Sequence, residues 1–111
     1  MTHFQPNTSR KLIDYQQLRR DVSLQQVLQL IDWKAVSQNG PQQRGPCPVH
    51  QSTNSHSRSF SVHLEKNVYQ CFGCNSHGNQ LDLAAAVLGL ELYAVARELC
   101  HRLQIELPQQ P

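Results

Sequence analysis

No apolar run in this 111-residue chain approaches the roughly 18 residues that a membrane-spanning helix needs, so no membrane is expected as a partner. The first ten residues, Met1 to Arg10, also lack the apolar stretch of a secretion signal. Both absences point to a cytoplasmic protein. Acidic residues are scarce, eight in all, and most fall on segments with helical periodicity. No carboxylate pair or nucleophile–base pair stands out, so the chain is not expected to be an enzyme. A strong excess of one charge is missing too. Ten Lys and Arg against eight Asp and Glu leave +2, too little by itself to mark a nucleic-acid binder. The length excludes a barrel enzyme, a doubly wound domain with a partner, and a full polymerase. It leaves one domain at 11–108, between a flexible N-terminus at 1–10 and a tail at 109–111. A domain of this size buries a modest core, which a covalent or metal staple would support.

Cysteine is present four times, as Cys47, Cys71, Cys74 and Cys100. In a chain with no secretion signal, thiols stay reduced and disulfides are not expected. The spacing suggests metal ligands instead. Cys47-Pro48-Val49-His50 is followed, twenty residues on, by Cys71-Phe72-Gly73-Cys74. Zn²⁺ takes four tetrahedral ligands from thiolate and imidazole, and a two-residue spacer lets one tight knuckle present two of them. One structural Zn²⁺ held by Cys47, His50, Cys71 and Cys74 is therefore expected. His77 lies three residues after Cys74 and competes for the fourth position. His50 is preferred, because Cys47 would otherwise be an orphan. Gly73 is expected to supply a positive φ in its knuckle, while Pro46 and Pro48 stiffen the other. His56 and His63 read as loop and strand-surface residues, and Cys100 as a small packed side chain. Three thiolates and an imidazole leave no open coordination position, which argues against zinc hydrolysis.

Periodicity supplies the frame. Thr8–Arg20 reads as a first helix. Ser23, with Gln26 three residues on, reads as a capping box before the stripe Leu24, Val27, Leu28 and Ile31. Asn39-Gly40-Pro41 marks a turn, and residues 42–59 read as loop with a short strand at Arg44–Cys47. Phe60, Val62 and Leu64 alternate with polar residues, and Val68–Cys71 returns after Glu65-Lys66-Asn67, giving a hairpin that runs into Cys71. Asn79 reads as an N-cap with Asp82 in the first turn. Leu81, Ala84, Ala85 and Leu88 follow as a stripe that ends at Gly89. Leu92, Val95, Ala96, Leu99 and Leu103 form the last stripe. The expected fold is α+β, a zinc ribbon with a small antiparallel sheet flanked by N- and C-terminal helices.

At these residues the sequence resembles a known family. Cys47-Pro-Val-His50, Ser59-Phe60-Ser61-Val62 and Tyr69-Gln-Cys71-Phe-Gly-Cys74-Asn-Ser-His-Gly78-Asn79 are similar to the N-terminal zinc-binding domain of bacterial DNA primases. The likeness runs from about Ile13 to Pro108. It implies a zinc ribbon with Cys47, His50, Cys71 and Cys74 as ligands. It also implies contact with single-stranded template and a part in choosing where an RNA primer starts. The family usually has an aromatic residue where Val49 stands, and a Lys-Thr-Pro-Ser-Phe-like run where this chain has His56-Ser-Arg-Ser-Phe60. The polymerising domain and helicase-binding region of a primase are not expected within this length. The implied role is a reading module in DNA replication that works with a primase polymerising domain or a helicase in trans.

The charge distribution agrees with that role. Between Trp33 and Gln80, Lys34, Arg44, Arg58 and Lys66 face only Glu65, a net +3, while the flanks are nearly balanced. These four cations are candidates to track phosphates of single-stranded DNA. Tyr69, and behind it Phe60 and Phe72, are candidates for base stacking, with Phe60 and Phe72 also suited to the core. The alternative reading is a zinc-ribbon adaptor for protein partners, of a plasmid, phage or mobile element.

Overall fold

The computed structural model describes residues 13–51, 54 and 56–110. Helix α1 is Tyr15–Asp21, and α2 is Leu24–Leu30. Strands β1 (Ser37–Asn39), β2 (Gln42–Gly45), β3 (Phe60–His63), β4 (Val68–Cys71) and β5 (His77–Asn79) follow. The chain finishes with α3 (Gln80–Leu88) and α4 (Leu92–Leu103). This is an α+β architecture, with an antiparallel five-stranded meander in sequential order flanked by helices. Among the described residues, no helix is long and apolar enough to cross a membrane.

Local chemistry explains most helix boundaries. Ser23 and Gln26 close a reciprocal capping box, the Gln26 amide donating to Ser23 Oγ (3.1 Å) and the Ser23 amide to Gln26 Oε1 (2.8 Å). Asn79 and Asp82 do the same at α3, and Gly89 ends that helix at φ 67°. The first helix differs from expectation. It starts at Tyr15 because Asp14 is its cap, accepting from the Gln17 amide at 3.0 Å. The expected span 8–12 lies outside the described residues, as does the N-terminus at 1–10. Leu18 is the residue of α1 that is buried.

Two strand expectations also change. The short strand expected at Arg44–Cys47 is Gln42–Gly45, and β1 and β5 form where none was expected. Ser37-Gln38-Asn39 and His77-Gly78-Asn79 have no apolar alternation to announce them. They exist because β2 and β4 offer free backbone edges, to which they pair in register. The hairpin of β3 and β4 forms as expected, with Asn67 at φ 55° in its turn.

The core lies between the helices and one face of the sheet. Phe60, Val62, Tyr69 and Cys71 from β3 and β4 meet Leu18, Leu24, Leu81, Leu83, Val95 and Leu99 from the helices. The two ends of the described chain join: the Asp14 amide donates to the Pro108 carbonyl (3.0 Å), and Ile13 bridges Gln109. Gln109, expected in the tail, is thereby paired.

Candidate metal centre and exposed sheet face

Both knuckles are set by the sheet. Trp33 packs over the end of β2, its indole N–H donating to the Pro46 carbonyl at 2.7 Å. A Cβ on Gly45 would come within 2.8 Å of that ring, so only glycine allows the approach. Cys47 follows directly, 2% exposed. On the other side, Phe60 is the register partner of Cys71, which places the second knuckle beside the first. The Val49 amide donates to Cys47 Sγ (3.3 Å), and the Gly73 and Cys74 amides to Cys71 Sγ (3.3 and 3.4 Å). Each knuckle is thus wound around its leading sulfur.

The ligand atoms of Cys47, His50, Cys71 and Cys74 all lie within 4.8 Å of one another. Cys47 Sγ is 3.9 Å from Cys74 Sγ, and Cys71 Sγ is 3.7 Å from His50 Nδ1. A tetrahedral Zn²⁺ with bonds of about 2.0–2.3 Å spaces its ligands by roughly 3.3–3.8 Å. The cluster therefore fits one structural Zn²⁺. Among the described residues it is the one grouping of three or more His, Cys, Asp or Glu suited to a metal. Burial pushes the Cys47 thiol up to about 11, whereas at Cys71 the amides of Cys74 and Gly73 and the neighbouring thiols outweigh burial and bring it down to about 6. A bound metal takes thiolates, so its uptake releases protons.

Two details differ from the sequence reading. Gly73 does not carry a positive φ; the left-handed residue is Asn75, at 65°. Gly73 instead leaves room for the imidazole, since a Cβ there would stand 3.2 Å from His50 Cε1 and the ring would have to give by a few tenths of an ångström. His77 lies on β5, exposed, with Nδ1 3.0 Å from the Asn75 carbonyl and outside the cluster. His50→Ala is expected to lose most zinc affinity and His77→Ala to keep one zinc per chain, as measured by metal analysis of the purified variants. Equal losses would reverse the assignment.

The outward face of the sheet carries two rows. One runs Ser37, Arg44, Ser61, Gln70, His77 and the other Asn39, Gln42, His63, Val68, Asn79, as the strand registers require. A groove of about 540 Å³ lies on this face, with Phe72 at its metal end. Phe72 is 62% exposed, and the Arg44 guanidinium lies 5.2 Å above its ring. The same guanidinium donates to the Arg58 carbonyl from Nε (3.0 Å) and Nη2 (2.7 Å), which fixes its plane.

The candidates for nucleic-acid contact scatter. The Arg44 guanidinium lies by Phe72, and the Arg58 backbone beside it accepts its bonds, with the Arg58 side chain exposed. Lys34 is paired with Asp32 (3.0 Å), and Lys66 lies on the β3–β4 turn, away from the metal. Tyr69 requires correction. It is 4% exposed, its ring packs on Phe60 (5.6 Å) and its hydroxyl bonds Ser76 Oγ (2.8 Å), so it has no face for a base. It shares the inward parity of β4 with Cys71, whereas Phe72, one residue past the strand, is exposed.

The CHC2 zinc-finger family, a zinc ribbon of the DNA-primase type, matches residues 10–111. The chain belongs to this family. The CHC2 domain is 34% identical over 83 residues to a DNA primase of Salmonella typhimurium, a match that covers 74% of this chain and 14% of that protein. It is 28% identical over 94 residues to a DNA primase of Halalkalibacterium halodurans, covering 85% of this chain and 15% of the relative. The crystal structure of the zinc-binding and RNA polymerase domains of Aquifex aeolicus primase aligns with a TM-score of 0.66 and 25% identity, over 83% of this chain and 22% of that one. The CHC2 domain thus spans about one-seventh of the primases it matches.

Proposed function

We propose that this CHC2 domain, with Zn²⁺ held by Cys47, His50, Cys71 and Cys74, reads single-stranded DNA on the outward sheet face. In this reading it acts in the cytoplasm with a polymerising domain or helicase supplied in trans. The observation that carries the reading is Phe72. A large exposed ring, held beside the metal knuckle and capped by a fixed guanidinium, is a stacking platform for a base. Arg44 supplies positive charge beside it, and Arg58, exposed on the adjoining loop, is a further cation for the strand. The amides and imidazoles of Gln42, His63, Gln70 and His77 offer sequence-tolerant polar contacts along the groove. Zinc organises this face and takes no part in chemistry, because its four ligands leave no open position. Divalent-metal chemistry on phosphates would come from the partner.

The test is binding of the zinc-loaded chain to a single-stranded deoxyoligonucleotide across a salt series. Affinity should fall with salt by about 0.7 log units per log unit for each phosphate engaged. Arg58→Ala should lower that slope by about 0.7. Phe72→Ala should weaken binding by about 1–3 kcal/mol at unchanged slope, because stacking releases no counterions. No binding at low salt with zinc in place would overturn the reading and favour the adaptor.

A further inference from the structure

Counted along the sequence, the positive charge of this protein lies in its centre, and Arg19 and Arg20 belong to a balanced flank. The fold redistributes it. Gln80, at the start of α3, donates from Nε2 to the carbonyls of Arg19 (2.8 Å) and Val22 (2.9 Å). Asn67, in the β3–β4 turn, accepts the Leu24 amide on Oδ1 at 2.8 Å. These bonds tie the end of α1 to the far end of the sheet. Arg19, Arg20 and Lys66 thereby surround a cavity of about 370 Å³ completed by Gln16, Asn67 and Gln80.

The lining has one chemical character. No carboxylate belongs to it, and none of the three cations is ion-paired with a described residue. Three like charges around one cavity favour an anion between them, although all three are exposed to screening solvent and Arg20 also donates to Gln17 Oε1 (3.0 Å). Asn67 has its oxygen committed, which leaves its amide N–H₂ as a further donor. Favourable interaction with the C-terminal dipole of α1 accounts for Arg19 and Arg20 alone. It accounts neither for Lys66, which lies on a turn, nor for Gln80. Gln80 is 1% exposed, and its Oε1 has no hydrogen-bond partner. A buried acceptor left unpaired is unfavourable and calls for a donor.

We propose that this cavity is an anion site that takes a phosphate group, separate from the metal centre at the other end of β3 and β4. Two sources share that chemistry. One is a free nucleotide. The other is a strand that crosses the outward face and continues past its end; this arm rests on the function proposed above. The turn is continuous with that face, since the Lys66 amide donates to His63 Nδ1 at 3.3 Å.

The experiment follows backbone amide shifts of the zinc-loaded chain at matched ionic strength. The probes are inorganic phosphate, a nucleoside triphosphate, and deoxyoligonucleotides of increasing length. Saturable shifts at Arg19, Arg20, Lys66 and Asn67 are expected, and Arg19→Ala/Lys66→Ala should abolish them while keeping one zinc. Shifts with the first two probes identify a free ligand. Shifts only with longer strands identify the strand, whose salt slope should then fall by about 0.7 in the double variant. No saturable shift at Arg19, Arg20, Lys66 and Asn67 with any probe, or a double variant that binds every probe like wild type, overturns the proposal; oligonucleotide shifts confined to the Phe72 groove then leave the sheet-face reading standing. Triphosphate bound at these residues with no strand bound anywhere keeps the proposal and overturns that reading.

Discussion

Cys71→Ser should leave the protein without zinc. The side chain is fully buried, is the register partner of Phe60 and accepts amides from its own knuckle. No other described residue is placed to replace it in the cluster. Structural zinc contributes an apparent free energy of about 10–16 kcal/mol in small peptides, as large as the net stability of a whole domain at about 5–15 kcal/mol. Metal analysis should therefore fall from one zinc per chain to none, and thermal unfolding should lose its cooperative transition. Part of the far-UV helix signal should persist, because α3 and α4 pack on each other and bury Leu83, Val95 and Leu99 in the core. Cys100→Ser is the control. That thiol is buried on α4, with Sγ 3.8 Å from the Glu106 carbonyl and outside the cluster, and its loss should leave one zinc bound. A full equivalent of zinc in refolded Cys71→Ser would refute the site.

Phe60→Ala should cost about 3–5 kcal/mol, the range for deleting a buried aromatic ring. Phe60 is fully buried, meets Trp33 edge-on at 5.4 Å and Tyr69 at 5.6 Å. Trp33 in turn holds Pro46, next to the first metal knuckle, and Phe60 itself pairs with Cys71 in the second. The cavity should therefore weaken zinc retention as well as the core. Denaturant unfolding of the zinc form, with a chelator challenge alongside, measures both. Phe72→Ala, at an exposed ring, should change stability by no more than about 0.5 kcal/mol. Equal destabilisation by the two variants would contradict the placement of Phe60 inside and Phe72 outside.

The sequence by itself determined the parts whose causes are local. Two pairs of ligand-type residues, each separated by two positions, announce a four-ligand metal cluster. Ser23 with Gln26 and Asn79 with Asp82 announce helix starts, because each cap is closed within three residues. The alternation in Phe60–Leu64 announces a strand with one buried face, and Gly89 a helix end. The resemblance carried by Cys71-Phe-Gly-Cys74 and Gly78-Asn79 was legible for the same reason. The start of the first helix at Tyr15 has an equally local cause, the Asp14 side chain accepting the Gln17 amide three residues on, a cap that the expected start at Thr8 passes over. Only the tertiary structure decided the rest. Strands β1 and β5 have polar sequences and form because a neighbouring edge needs hydrogen-bond partners. Gly73 matters for the space it leaves His50, a residue 23 positions away, and not for its own backbone angle. Phe72 is exposed and Tyr69 buried because the register of β4 against β3 sends Tyr69 inward with Cys71. Arg19 and Arg20 meet Lys66 because Gln80 anchors the end of α1 beside the β3–β4 turn, and charges that are distant in the chain become neighbours only when the core closes.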